Sequence, residues 1–175
     1  NPDYVGTWVF ANDFPALTMD PAQAVVSKDA LFQSVSAQGE ARVICYSEHH
    51  DLTMARLGRD AIKQVIDCWI TEYKTLAKRY EWVAIFENKG AAMGCSNPHP
   101  HGQIWASDFV PHLVETEDRE QRAYHAQTGN PLLLNYATKE AADGSRLVFA
   151  TKHWVCVVPY WAIWPFETLL LPRTP

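Results

Sequence analysis

Cysteine is scarce in this chain, and its four residues, Cys45, Cys68, Cys95 and Cys156, lie far apart. There is no C-x-x-C pair, so a purely structural zinc protein is disfavoured, and free thiols in a reducing compartment are the simplest account. Positive charge is also short: 15 Lys and Arg stand against 20 Asp and Glu, for a net charge of −5. That balance supplies no basic field for nucleic acid and no polybasic patch for a membrane surface. No apolar run approaches the roughly 20 residues that span a bilayer. No signal peptide is visible. The chain opens at Asn1 rather than Met, and the expectation is that a true N-terminus is missing. What remains is ample core material, with 47% hydrophobic and 12% aromatic residues in 175, enough for one domain or one and a part. A cytoplasmic protein is expected, with neither nucleic acid nor membrane as partner.

The most informative run is Asn97-Pro98-His99-Pro100-His101-Gly102-Gln103-Ile104-Trp105. In an extended segment residues i, i+2 and i+4 share a face. His99, His101 and Gln103 would then form a row of imidazole, imidazole and carboxamide, with Pro100 and Gly102 behind. Such a row can attack and hold a phosphate. Two plainer readings compete: a chance pair of surface histidines, or a metal pair, since histidine is the commonest metal ligand. Gln103 argues against both, being a poor zinc ligand and a good donor to a phosphoryl oxygen. Residues 86–96 just upstream hold two glycines and small side chains, where backbone N–H groups can approach an anion.

The pattern of the rest is α+β. Residues 7–10, 41–46, 82–87, 101–106, 146–150, 154–158 and 166–171 read as strands, and 18–38 as polar loop. In 59–80, Ile62, Val65, Ile66, Trp69, Ile70, Tyr73, Leu76, Ala77 and Tyr80 recur at helical spacing behind Gly58, which is an acceptable N-cap, and this stripe reads as core packing. Charged residues 115–127 read as helix, broken at Gly129-Asn130-Pro131, with a second helical piece over 132–142. An antiparallel sheet with one long packing helix is expected. A faint echo links the strand around Val43 with that around Val155.

The segment FENKGAAMGCSNPHPHGQIWA, Phe86 to Ala106, resembles the active-site segment of the galactose-1-phosphate uridylyltransferase family, the transferase branch of the histidine-triad superfamily. NPDYVGTWVFANDFPAL, ARVICYS and HWVCVVPYWAIWPFETLLLP resemble further segments in the same order, so the likeness runs along nearly the whole chain. The hydrolase branch carries a third histidine where this chain has Gln103. The resemblance implies a histidine-triad-like domain over 1–112, incomplete at its N-terminus, and the truncated beginning of a second, related domain over 113–175. It implies exchange of glucose 1-phosphate and galactose 1-phosphate on UDP, within galactose metabolism, through a uridylyl-histidine on His101, with a backbone carbonyl such as that of His99 fixing its tautomer.

By the same resemblance Gln103 contacts the phosphoryl group. Asn12 and Asp13 belong to the nucleotide site, although N-D before F-P is equally turn chemistry. Asn88, Gly94, Cys95 and Ser96 are implied phosphate and sugar-phosphate contacts, with a buried small hydrophobe as the plain reading of Cys95. His50 and His99 are implied zinc ligands whose two cysteine partners have no counterpart here; His49, next door, competes with His50. Glu117 matches the carboxylate of a second metal site, iron or zinc, in the full-length enzyme, while as a lone Glu in a charged helix it reads as solvated. His112, His125 and His153 match nothing and read as surface residues. The implied partners are UDP-glucose, UDP-galactose and hexose 1-phosphates, with a homodimer for the full-length enzyme. Two other classes stay open: an inactive nucleotide-binding fragment, and a nucleotide or sugar-nucleotide phosphorylase of the same branch, which shares H-x-H-x-Q.

Overall fold

Along residues 101–107 every second side chain packs inward: Gly102, Ile104 and Ala106 are buried, while His101, Gln103 and Trp105 on the other face are half-buried. That period of two fixes a strand with one face on a core. A computed structural model describes residues 3–174 apart from Val26 and Ser96. Its chain divides into two units, 1–111 and 112–175.

In the first unit β1 (Trp8–Ala11), β2 (Gly39–Cys45), β3 (Trp82–Phe86) and β4 (His101–Ser107) form an antiparallel sheet in the order β1-β2-β4-β3. The long helix α1 (Arg59–Leu76) covers one face. Ile44, Tyr46, Val65, Leu76, Ile104 and Ala106 make the core between them, and each large side chain taken from water contributes about 1.5–3 kcal/mol. Gly58 caps α1 in an extended conformation, as the sequence leads one to expect. The apolar stripe is wider than the covered face: Ile66, Ile70 and Tyr73, expected in the core, are exposed, because one sheet covers only one side of the helix. α1 also ends at Leu76 rather than 80. Beyond it Arg79 and Tyr80 reach Glu40 on β2, while Arg42 bridges Glu40 at 2.7 Å and Glu72 of α1 at 2.5 Å. Burial pushes the Glu40 carboxyl up, but the guanidinium of Arg42 and the hydroxyl of Tyr80 outweigh it and hold the carboxyl below its ordinary value. The cluster ties the far end of the helix to the sheet.

In the second unit α2 (His112–Thr128) and α3 (Leu132–Asp143) precede a separate antiparallel sheet of β5 (Leu147–Ala150), β6 (Trp154–Val157) and β7 (Leu169–Pro172), in the order β5-β6-β7. So the α+β class and antiparallel pairing hold, and the second half carries a sheet of its own. β7 is also shorter than the apolar run 166–171 predicts, since the chain turns at Phe166. Gly144 ends α3 with φ 74°, the left-handed position that favours glycine, and its N–H donates to the Glu140 carbonyl at 2.9 Å. Ala137 of α3 packs on Val155, Val157 and Leu171. Glu140, only 3% exposed, is satisfied by Arg146, whose Nε donates to both carboxylate oxygens at 3.0 Å. Among the described residues no helix is long and apolar enough to cross a membrane.

Candidate active site

The sheet face opposite α1 carries the chemistry. Register sets Cys45 of β2 beside His101 and Val43 beside Gln103, with Phe86 of β3 flanking Gln103 on the other side. Trp8 pairs with Cys45 and Phe10 with Val43 from β1, and their rings stack at 4.2 Å. Imidazole and carboxamide thus stand in an apolar, aromatic setting. Gly102, on the inward face, has no alternative: a Cβ there would run into the Tyr46 hydroxyl and come 2.9 Å from the Phe86 carbonyl.

His99 precedes the strand rather than lying in it, since β4 starts at His101. An Asx turn holds it, with its N–H donating to Asn97 Oδ1 at 3.0 Å. Even so, His99, His101 and Gln103 line a single cavity of about 300 Å³, together with Asn12, Asp13, Asn97 and the Phe10 and Phe14 rings. Asn12 makes the expected turn, its Oδ1 accepting the Phe14 N–H at 3.0 Å, which leaves its amide N–H groups as the available donors toward the cavity it lines. A second cavity of about 380 Å³ shares His99 and His101 and is walled by Asn88, Lys89, Gly90 and Cys95. His101 therefore borders both. Gly94 borders neither; with φ 81°, it and Gly90 at 86° bracket the tight turn 91–93 that shapes the second cavity. Cys95 Sγ donates to the Asn97 carbonyl at 3.0 Å. Ser96 lies outside the described residues.

His101 Nδ1 lies 2.7 Å from the backbone carbonyl of His99. A carbonyl only accepts, so Nδ1 carries the proton and Nε2 keeps its lone pair. His99 is 6% exposed. Burial holds its imidazole below the ordinary histidine value, and the neighbouring His50 and His101 push the same way, against a raising contact from the Ser47 backbone. Its Nδ1 is 2.8 Å from Nδ1 of His50, and its Nε2 is 2.9 Å from the Tyr4 hydroxyl. His50 is thus the histidine that meets His99, while His49 turns to Glu48 at 3.8 Å. Two nitrogens bound to one tetrahedral zinc stand about 3.3 Å apart, given zinc–nitrogen bonds of about 2.0–2.1 Å. The observed spacing is that of a hydrogen bond. Among the described residues no group of three or more His, Cys, Asp or Glu could hold a metal, so these donors do not by themselves fit a closed zinc site. Glu117, on α2 of the second unit, is exposed and borders an apolar cavity with Glu120, Glu167 and Trp161. His112, His125 and His153 are exposed.

Sequence reasoning missed Tyr4, Cys45 and Lys89. Cys45 was findable from strand register opposite His101, and Lys89 from its place in the loop. Tyr4 gives no local signal, because its partner lies 95 residues away.

A family model described as the N-terminal domain of galactose-1-phosphate uridyl transferase matches residues 1–111, and the model of the C-terminal domain matches 117–175. Galactose-1-phosphate uridylyltransferase of Haemophilus influenzae is 54% identical over 174 residues, covering 99% of this chain and 50% of that protein. The Rattus norvegicus protein of the same name is 48% identical over 173 residues, covering 99% of this chain and 46% of its own length. Among solved structures, one described as a uridylyltransferase superposes with a TM-score of 0.84 at 26% identity, over 96% of this chain and 54% of that one. The chain spans about half the length of the curated relatives it matches. It belongs to the galactose-1-phosphate uridylyltransferase family.

Proposed function

We propose that this chain supplies the nucleophile and the nucleotide-binding wall of a UDP-glucose–hexose-1-phosphate uridylyltransferase, a cytoplasmic enzyme of galactose metabolism that works as a homodimer. The observation that carries this reading is the 2.7 Å contact from His101 Nδ1 to the His99 carbonyl. With Nδ1 protonated, the Nε2 lone pair attacks the α-phosphorus of UDP-glucose. The bond from that phosphorus to the bridging oxygen breaks, and its electrons leave with glucose 1-phosphate. The new P–N bond makes the ring cationic, and the His99 carbonyl stabilises that charge through the proton Nδ1 keeps throughout. A phosphate oxygen of galactose 1-phosphate then attacks the same phosphorus, the P–N bond breaks, and UDP-galactose leaves a neutral His101.

Gln103 donates its amide N–H to a phosphoryl oxygen. A carboxamide neither gives nor takes a proton, so it does not help water hydrolyse the intermediate. Asn12 and Asp13 hold the uridine nucleotide, and Asn88, Gly94, Cys95 and Ser96 hold the phosphate and sugar phosphate. His50 and His99 as zinc ligands, and Glu117 as a ligand to a second metal, iron or zinc, belong to the same reading, each site needing ligands beyond the described residues. Weak, substoichiometric zinc is therefore expected in this chain, as measured by elemental analysis after brief chelation; a full retained equivalent would mean that another donor closes the site.

The reaction is tested by isotope exchange. Ping-pong transfer moves labelled glucose 1-phosphate into UDP-glucose with no second sugar present. Binding of UDP-glucose without exchange would favour an inactive nucleotide-binding fragment, and faster consumption by inorganic phosphate would favour a phosphorylase.

A further inference from the structure

We infer that Tyr4 is a positioning residue for the histidine pair: its hydroxyl, anchored on the Ser47 carbonyl, accepts the Nε2–H of His99, and so fixes the His99 ring and the carbonyl that orients His101. The inference rests on the transferase reading above.

The proton count leaves one arrangement. A phenol has one proton to donate. The Tyr4 hydroxyl lies 2.8 Å from the Ser47 carbonyl, which can only accept, so the proton goes there. Toward His99 Nε2, at 2.9 Å, the Tyr4 oxygen must then be the acceptor, and Nε2 must carry hydrogen. A neutral imidazole has one N–H, so His99 Nδ1 is a lone pair, turned toward His50 Nδ1 at 2.8 Å and left free to serve as the metal ligand of the reading above. Chance surface contacts do not build such a chain: His99 is 6% exposed and Ser47 is likewise 6% exposed.

The ring of Tyr4 is itself fixed. It lies against Trp8 with centroids 5.3 Å apart, and Trp8 stacks on Phe10. Downstream, Pro98 and Pro100 flank His99 and restrict its backbone on both sides. Holding the His99 ring therefore also holds its carbonyl, 2.7 Å from His101 Nδ1. The path runs from Ser47 through Tyr4 and His99 to the nucleophile.

Tyr4→Phe keeps the ring contact with Trp8 and removes only the acceptor. In the protein as its complete gene encodes it, labelled with ¹⁵N-histidine, long-range proton–nitrogen correlation should show native His99 as the Nε2–H tautomer. In Tyr4→Phe the Nε2–H loses its acceptor, so its proton resonance should move upfield, and kcat for glucose 1-phosphate exchange should fall on the order of tenfold, the scale of lost outer-shell partners, with KM for UDP-glucose unchanged. Native His99 found as Nδ1–H overturns the inference without any variant, which decides the matter even if Tyr4→Phe does not fold. A folded Tyr4→Phe with either the Nε2–H resonance or kcat unmoved also overturns it. A native protein that fails to exchange at all would instead overturn the transferase reading.

Discussion

Both units set a helix against one face of a small antiparallel sheet, and they leave very different faces uncovered. In the first unit that face holds His101 and Gln103 among Trp8, Phe10, Val43 and Cys45. In the second it holds Phe149, Trp154 and Leu170, all about half exposed, around the buried Cys156, with neither imidazole nor carboxamide among them. The buried polar groups differ in the same way. Glu140 is closed off by the opposite charge of Arg146, which satisfies it and leaves nothing over. His99 meets no opposite charge, only the Tyr4 hydroxyl and the His50 ring, and borders two cavities. A charge neutralised by its partner serves the fold, whereas a neutral imidazole with a defined tautomer beside empty space is available for chemistry.

The largest effect that would break this contrast belongs to His101. His101→Asn keeps a polar side chain on the strand but removes the nucleophile, and covalent uridylylation, read by intact mass after UDP-glucose, should vanish. Next comes Gly102→Ala, one residue along on the covered face. Its Cβ meets the Tyr46 hydroxyl and the Phe86 carbonyl, and overpacking of this kind costs about 1–3 kcal/mol. Urea unfolding of the first unit should report that loss; an unchanged midpoint would show that Tyr46 moves aside freely. Gln103→His should shift the fate of the intermediate more than its formation, so that hydrolysis rises relative to transfer when both products are measured in one assay. Unchanged partitioning would remove Gln103 from that choice. The smallest effect is expected in the second unit. Leu170→Ser, at a position 53% exposed, should change stability by no more than about 0.5 kcal/mol, as surface substitutions do. A loss of several times that would mean the uncovered face is packed against something in solution.

Much of this was legible in the sequence because it is local. The alternation from His101 to Trp105 shows in five residues, as does the Gly58 start of α1. What escaped depends on pairing across the chain. Nothing in residues 77–80 says that the helix stops at Leu76; the cause is Glu40, some 39 residues away from Arg79, drawing that side chain and Tyr80 toward β2. The choice between adjacent His49 and His50 is made by which of them the loop after β2 turns toward His99. Tyr4 became visible only with the fold, since its hydroxyl reads Ser47 and His99 at once.

The central claim is that the reacting nitrogen is Nε2 of His101, poised by the His99 carbonyl. Its most direct test is peptide mapping of the adduct trapped with UDP-glucose in the absence of acceptor sugar. The account predicts one uridylyl group, acid-labile as a phosphorus–nitrogen bond should be, on the peptide containing His101 and attached to that residue. A uridylyl group mapped to His99 or His50, or spread over several histidines, would contradict it.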